Sequence, residues 1–180
     1  MACLVAVTGS IVAVAVPAAA ADPYVGIVAI RSRHMNKLVS AELGFTGSLE
    51  GMLRARADGI GRWETFTIDK VPNTSYYLIA SNARVSGDDY SNLNKSLIRA
   101  ELNYPGGDDG MLRAMGSPND GYQTAEQFQI TSVGGGYVTI KNRSTGKYLK
   151  AESGYAGQRD GMIRAAGNDP ASWTTHFRFE

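Results

Sequence analysis

Short runs in which apolar residues alternate with other side chains recur along this chain in two matched sets. Val28-Ala29-Ile30, Leu78-Ile79-Ala80 and Val138-Thr139-Ile140 form the first set. Trp63-Glu64-Thr65-Phe66-Thr67-Ile68, Glu126-Gln127-Phe128-Gln129-Ile130 and His176-Phe177-Arg178-Phe179 form the second, each containing Phe-x-[Ile/Phe]. A period of two turns one face of an extended strand toward a core and the other toward water. Every run is therefore expected to be a half-buried β-strand.

Between the two sets lies a longer pattern that occurs three times with the same internal spacing. It starts at Ala41, Ala100 and Ala151, reads A-E-x-[G/N]-[F/Y]-x4-[D/E]-G-M-[L/I]-R-A, and ends at Ala55, Ala114 and Ala165. A threefold repeat of this kind decides the architecture before any local preference does. The pattern divides into two strands, around Leu38–Glu42 and residues 52–55 in the first copy. The stretch between them holds Gly44 and Gly47, and Pro105, Gly106 and Gly107 fill the same place in the second copy. Those residues supply turn geometry. Each unit is thus expected to hold four strands, about twelve in all, with units over roughly residues 24–70, 71–132 and 133–180. One unit is too small to bury its own apolar face, so the three must share a core. A closed barrel capped by hairpins does this and leaves no open sheet edge.

The fold class read from these features is all-β, and the chain resembles a β-trefoil, in particular the fascin-like branch of that superfamily. The resemblance is carried by residues 37–42 (Lys-Leu-Val-Ser-Ala-Glu), residues 146–152 (Gly-Lys-Tyr-Leu-Lys-Ala-Glu) and Trp63-Glu64-Thr65-Phe66, and it covers nearly all of residues 24–180. It implies three four-stranded repeats about a pseudo-threefold axis, and it favours the core or barrel floor for Trp63 and Trp173, with contact to a ligand as the alternative. Function follows from it far less directly, because trefoils host lectins, protease inhibitors, cytokines and actin bundlers. The Q-x-W of ricin-type lectins is absent. Secreted bacterial trefoils of this appearance often act as carbohydrate-binding modules or lectins, so the resemblance implies a carbohydrate as the expected partner.

Strand alternation puts Leu53 and Ala55 on one face of the repeat and Met52 and Arg54 on the other, with Ser40 and Glu42 sharing the latter. Glu42 and Arg54, Glu101 and Arg113, and Glu152 and Arg164 are expected to pair across their hairpins. A pattern retained in all three units argues for a structural lock. The interior of the repeat varies more. Phe45, Tyr104 and Tyr155 each follow the glutamate by three residues, and each precedes an acid, Glu50, Asp109 or Asp160. A ring beside oxygen acceptors suits a sugar, whose C–H face covers the ring while its hydroxyls meet the acceptors. Three weak sites would gain by avidity. The alternative is that the rings cover the hairpin and the acids serve the turn. Unit two adds Asp108, and unit three adds Gln158 and Arg159.

Unit two is also about ten residues longer than its relatives between its first strand and the repeat, a cheap kind of surface insertion. The extra segment, within residues 83–94, brings Asp88, Asp89, Tyr90 and Asn92. Loops of this kind often carry function. It supports a second reading, a protein-binding trefoil acting as a protease inhibitor or as a subunit of a secreted assembly.

Composition narrows these options. The net charge is +1 over 180 residues with 21 glycines, which gives no field for nucleic acid and suits a turn-rich β protein. Residues 1–21 carry no charge, include the apolar run 11–16 and end in Pro17-Ala18-Ala19-Ala20-Ala21. That pattern is expected to be a secretory signal cleaved after Ala21, leaving residues 22–180 as one extracellular domain with no stable membrane insertion. An N-terminal strand or a membrane anchor is the alternative, and no Lys or Arg precedes the apolar run. Cleavage would remove Cys3, the single cysteine, so no disulfide is expected. The two histidines, His34 and His176, fit no triad or metal spacing, and G-x-S-x-G is absent. Neither catalysis nor a cofactor is expected.

Overall fold

The computed structural model describes residues 21–83, 96–104, 106–117 and 123–180. Residues 1–20 of the expected leader, with Cys3, and the insertion residues Asp88, Asp89, Tyr90 and Asn92 lie outside them. Unit one contributes β1 (Gly26–Ser32), β2 (Leu38–Glu42), β3 (Met52–Ala57) and β4 (Thr65–Lys70). Unit two contributes β5 (Tyr77–Ser81), β6 (Ser96–Ala100), β7 (Leu112–Gly116) and β8 (Phe128–Gly134). Unit three contributes β9 (Tyr137–Asn142), β10 (Tyr148–Ala151), β11 (Ile163–Gly167) and β12 (His176–Phe179). β8 runs two residues past the expected unit boundary.

The first and fourth strands of the units close a ring. Antiparallel pairings run β1–β4–β5–β8–β9–β12 and back to β1. The middle strands form three hairpins, β2–β3, β6–β7 and β10–β11, each with a register shift after its first paired residue. Ala41 faces Leu53, and Glu42 faces Met52, so the expected alternation holds.

Trp63, Glu64 and Glu126 leave the strands in which the alternation put them. They sit in short 3-10 turns, Arg62–Glu64 and Thr124–Glu126. The cause is the buried carboxylate: Glu64 accepts from the Ser40 hydroxyl at 2.5 Å and from the Gly61 amide at 3.0 Å. Glu126 likewise accepts from the Gln123 amide at 3.2 Å. Each acid folds the chain back on itself before the fourth strand can start.

The core is built in layers of three. Phe66, Phe128 and Phe177 form one layer, Val39, Ile98 and Leu149 another, and Leu53, Leu112 and Ile163 a third, none more than 4% exposed. Alanines of the repeat fill the space between them, with Ala41 and Ala100 at 0%. A second cluster sits where the hairpins meet, around Met52, Met111 and Met162, all at 0%. Methionine's unbranched chain adapts to the irregular space there.

Three sets of threefold hydrogen bonds, two at the hairpins and one on the barrel, join the units in one direction. The amides of Ala55, Ala114 and Ala165 donate to the carbonyls of Gly161, Gly51 and Gly110 at 2.8, 2.7 and 2.7 Å. The side chains follow the same path: Nε of Arg54, Arg113 and Arg164 donates to the carbonyl of Asp160, Glu50 and Asp109 at 2.9, 2.6 and 2.9 Å. On the barrel, the amides of Arg33, Asn82 and Arg143 donate to His176, Thr65 and Gln127 at 3.0, 2.9 and 2.8 Å. Each unit grips its predecessor twice.

The arginines of the repeat therefore serve a contact between units as well as, in units two and three, the lock within the hairpin. Arg113 and Arg164 still pair with Glu101 and Glu152, at 3.4 and 3.3 Å. Unit one departs from the expectation: Glu42 pairs with Arg56, which reaches both of its oxygens. Two facts explain this. Phe45 has no hydroxyl to hold the Arg54 guanidinium, as Tyr104 and Tyr155 hold theirs. Units two and three have Met115 and Ala166 at the place of Arg56.

The repeat glycines Gly51, Gly110 and Gly161 have φ of +71°, +78° and +78°. A Cβ on Gly161 would lie 2.6 Å from the Ala55 carbonyl, whereas one on Gly154, at φ +90°, would meet nothing within 4 Å. Backbone strain alone costs about 1–2 kcal/mol at such a φ. Gly154→Ala is expected to cost that much, and Gly161→Ala to cost several kcal/mol more, because the clash is with backbone. Urea denaturation of the two variants checks this; equal costs would contradict the threefold closure.

Candidate functional site

The residues of the varied loop interior converge, in a different way from three open platforms. Phe45, Tyr104 and Tyr155 are half-buried and pack against Met52, Met111, Met162 and Leu49. Arginine holds each ring: Arg54 lies 5.9 Å from the Phe45 centroid, and Arg113 donates to the Tyr104 hydroxyl at 2.7 Å. Arg164 donates to the Tyr155 hydroxyl at 3.3 Å. The rings lid the methionine cluster on the threefold axis.

Asp108 and Arg159 meet across the boundary of units two and three, in a bidentate pair at 2.8 and 2.7 Å. Asp108 is buried and Arg159 half-buried, so each already has its partner. Asp109 accepts from the Asn103 amide at 2.9 Å and stiffens its own turn. Glu50, Gln158 and Asp160 are exposed, and neither acid makes an ion pair among the described residues. Asp89 and Tyr90 lie outside those residues.

Trp173 offers what the loop rings lack. It is 61% exposed, and among the described residues no other aromatic side chain is classed as exposed. Its ring lies 5.8 Å from the imidazole of His34, at an interplanar angle of 57°. His34 Nε2 is 2.9 Å from the Ser153 hydroxyl, while its Nδ1 is buried with no hydrogen-bond partner. An open apolar face thus sits beside a hydroxyl and an imidazole. The elements that place them are the β1–β2 turn, the end of β10 and the 3-10 turn Trp173–Thr175.

No family model matches the sequence, and no curated protein does. Solved structures match over most of the chain. The designed threefold-symmetric protein ThreeFoil superposes with a TM-score of 0.63 at 16% identity, covering 86% of this chain and 97% of that one. BEL beta-trefoil superposes at 0.58 and 12% identity, covering 91% and 97%. A Polyporus squamosus lectin, solved with the epitope Neu5Acα2-6Galβ1-4GlcNAc, superposes at 0.62 and 14% identity, covering 88% and 50%. The fold is a β-trefoil. Against three longer solved chains the domain spans 36%, 30% and 32% of their length.

Trefoil symmetry explains why Trp173 is open although the resemblance put both tryptophans inside. Aligned on the strand-four phenylalanines, Trp63 stands three residues before Phe66 and Trp173 four before Phe177. Thr174 and Ala125 occupy the place of Trp63, which packs against the barrel core. One step along the turn rotates the side chain outward. The offset was legible in the sequence, but reading both residues merely as "before strand four" concealed it. His34 carried no local signal, since its neighbour Trp173 is far away along the chain.

The Arg159 guanidinium hydrogen-bonded to Asp108 holds that carboxyl below its ordinary 3.8. A carboxylate with a lower pKa in the folded trefoil than in the unfolded chain adds stability above the ordinary value. It loses that contribution as the pH falls through the folded value. Asp108→Asn should therefore cost about 1 kcal/mol at pH 7 and progressively less below 3.8. Chemical denaturation across that range tests the pair, and a pH-independent cost would contradict its ionic nature.

Proposed function

We propose that this protein is a secreted, non-catalytic carbohydrate-binding module of lectin type, with its principal sugar face at Trp173. The exposure of that indole beside His34 and Ser153 carries the reading. A pyranose presents an apolar C–H face and a rim of hydroxyls; the indole covers the first, and the Ser153 hydroxyl, oriented by His34 Nε2, answers the second. In this reading Phe45, Tyr104 and Tyr155 chiefly serve the lid over the methionines, and their outward edges, with Glu50 and Asp160, add at most weak contacts. Support of a general kind comes from a structural neighbour, the Polyporus squamosus lectin, solved with a sialylated glycan.

A glycan and polysaccharide array is the test. Binding to at least one saccharide is expected, and Trp173→Ala should weaken it at least tenfold, about 1.4 kcal/mol, with no change in melting temperature. Phe45→Leu should leave sugar binding nearly intact. A folded protein that recognises no saccharide would refute the proposal.

A further inference from the structure

The three barrel contacts that join the units are alike in backbone and unlike in charge. At the junction of units two and three, Arg143 donates to the Gln127 side chain at 2.7 Å, and its guanidinium lies 4.7 Å from the Tyr76 ring centroid. Lys141 stands two residues earlier, on β9, opposite Gln129 in the β8–β9 ladder. Tyr76, Gln129, Lys141, Asn142, Arg143 and Gly146 line a depression of about 140 Å³. Neither Lys141 nor Arg143 has a carboxylate partner among the described residues.

The equivalent place at the junction of units three and one shows what such a face holds. Aligned on Ile30 and Ile140, Arg31 and Arg33 correspond to Lys141 and Arg143, and Arg178 corresponds to Gln129. There Arg33 lies 4.7 Å from the Tyr137 centroid, repeating the Arg143–Tyr76 stack. The charge is neutralised from within: Glu180 accepts from Arg31 at 2.7 and 3.0 Å and from Arg178 at 2.6 Å. Those two guanidinium groups hold the Glu180 carboxyl at about 2. The residue matching Glu180 is Thr131, an exposed side chain with no charge. At the junction of units one and two the cations themselves are replaced, by Ala80 and Asn82.

Of three related faces, one contains its own carboxylate, one has no cations, and one keeps its cations and an open depression. We infer that the depression lined by Lys141, Arg143, Gln129 and Tyr76 binds the anionic group of an acidic saccharide, a carboxylate or sulfate, where Glu180 sits in the related face. A space of about 140 Å³ admits the charged substituent with part of its ring, not a whole oligosaccharide. Lys141 and Arg143 supply charge-assisted hydrogen bonds, Gln129 donates from its amide, and Tyr76 flanks the ring. The sugar class rests on the carbohydrate reading above, whereas the anion site rests on the comparison of the three faces.

The test titrates the ¹⁵N-labelled full chain with glucuronate, glucose 6-sulfate, glucose and inorganic sulfate. Glucuronate or glucose 6-sulfate should shift the amides of Lys141, Asn142 and Gly146, and glucose should not; whichever acidic sugar binds more tightly identifies the anion. Lys141→Gln should weaken binding at least tenfold. Thr131→Glu, which supplies the missing internal carboxylate on an exposed position, should abolish it while the melting temperature is kept. Added salt should weaken it as well. Absence of these shifts, their persistence in Thr131→Glu, or equal affinity for inorganic sulfate would overturn the inference. The Trp173 indole signal in the same spectra reports the principal face separately, so failure at one site is distinguishable from failure at the other.

Discussion

Three amide-to-carbonyl hydrogen bonds close this molecule, from Ala114 to Gly51, from Ala165 to Gly110 and from Ala55 to Gly161. Each joins one unit to its predecessor, so the three form a cycle with no free end. The cycle dictates most of the repeat. Only glycine adopts the positive φ while the neighbouring backbone approaches this closely. The methionine after it falls on the threefold axis, the next residue enters the barrel core, and the arginine reaches the carbonyl of the acid before the neighbouring glycine. Six consecutive positions thus answer to one contact. Leaving a buried carbonyl or amide of the cycle unpaired would cost about 1–3 kcal/mol, which is reason enough for the pattern to survive in all three units.

Symmetry in the interior sets off its breakdown at the surface. Three phenylalanines, three methionines and three alanines repeat because a shared axis offers three equal spaces. No such demand reaches the outer faces. Trp173 stands one residue out of step with Trp63, Phe45 lacks the hydroxyl of its counterparts, and Thr131 stands where Glu180 would be expected. In unit one the missing hydroxyl is offset by Arg56, which takes over Glu42. Trp173 and Lys141 lie off the shared axis, and their contacts are with single rings, those of His34 and Tyr148. Both proposed contacts with saccharides fall at such positions, since a residue freed from the fold is available for a ligand.

The aromatic loops illustrate how tertiary packing redirects side-chain chemistry. A ring followed by an acid has the composition of a sugar site, yet Tyr104 and Tyr155 are drawn inward because the methionines beneath them need cover. Their hydroxyls are taken by Arg113 and Arg164. Asp108 and Arg159, adjacent to those rings, answer each other. Groups that look available along the chain are partners once the hairpins converge.

The period-two runs and the thrice-repeated fifteen-residue pattern determined, without any coordinates, that the chain is all-β, that it has three four-stranded units, and which hairpin faces carry Leu53, Arg54 and Glu42. They could do so because alternation and internal repetition are local properties that every folded copy must respect. The 3-10 turns at Trp63 and Glu126 escaped that reading, because a buried carboxylate overrode the strand pattern. Which side chains remain open was decided only by the tertiary structure. Exposure depends on contacts between units: the Met52–Met111–Met162 cluster closes over the loop rings, while His34 and Ser153, from units one and three, frame Trp173. Those contacts join residues from different units, 51 positions apart for Met111 and Met162 and 119 for His34 and Ser153, and no local pattern encodes them.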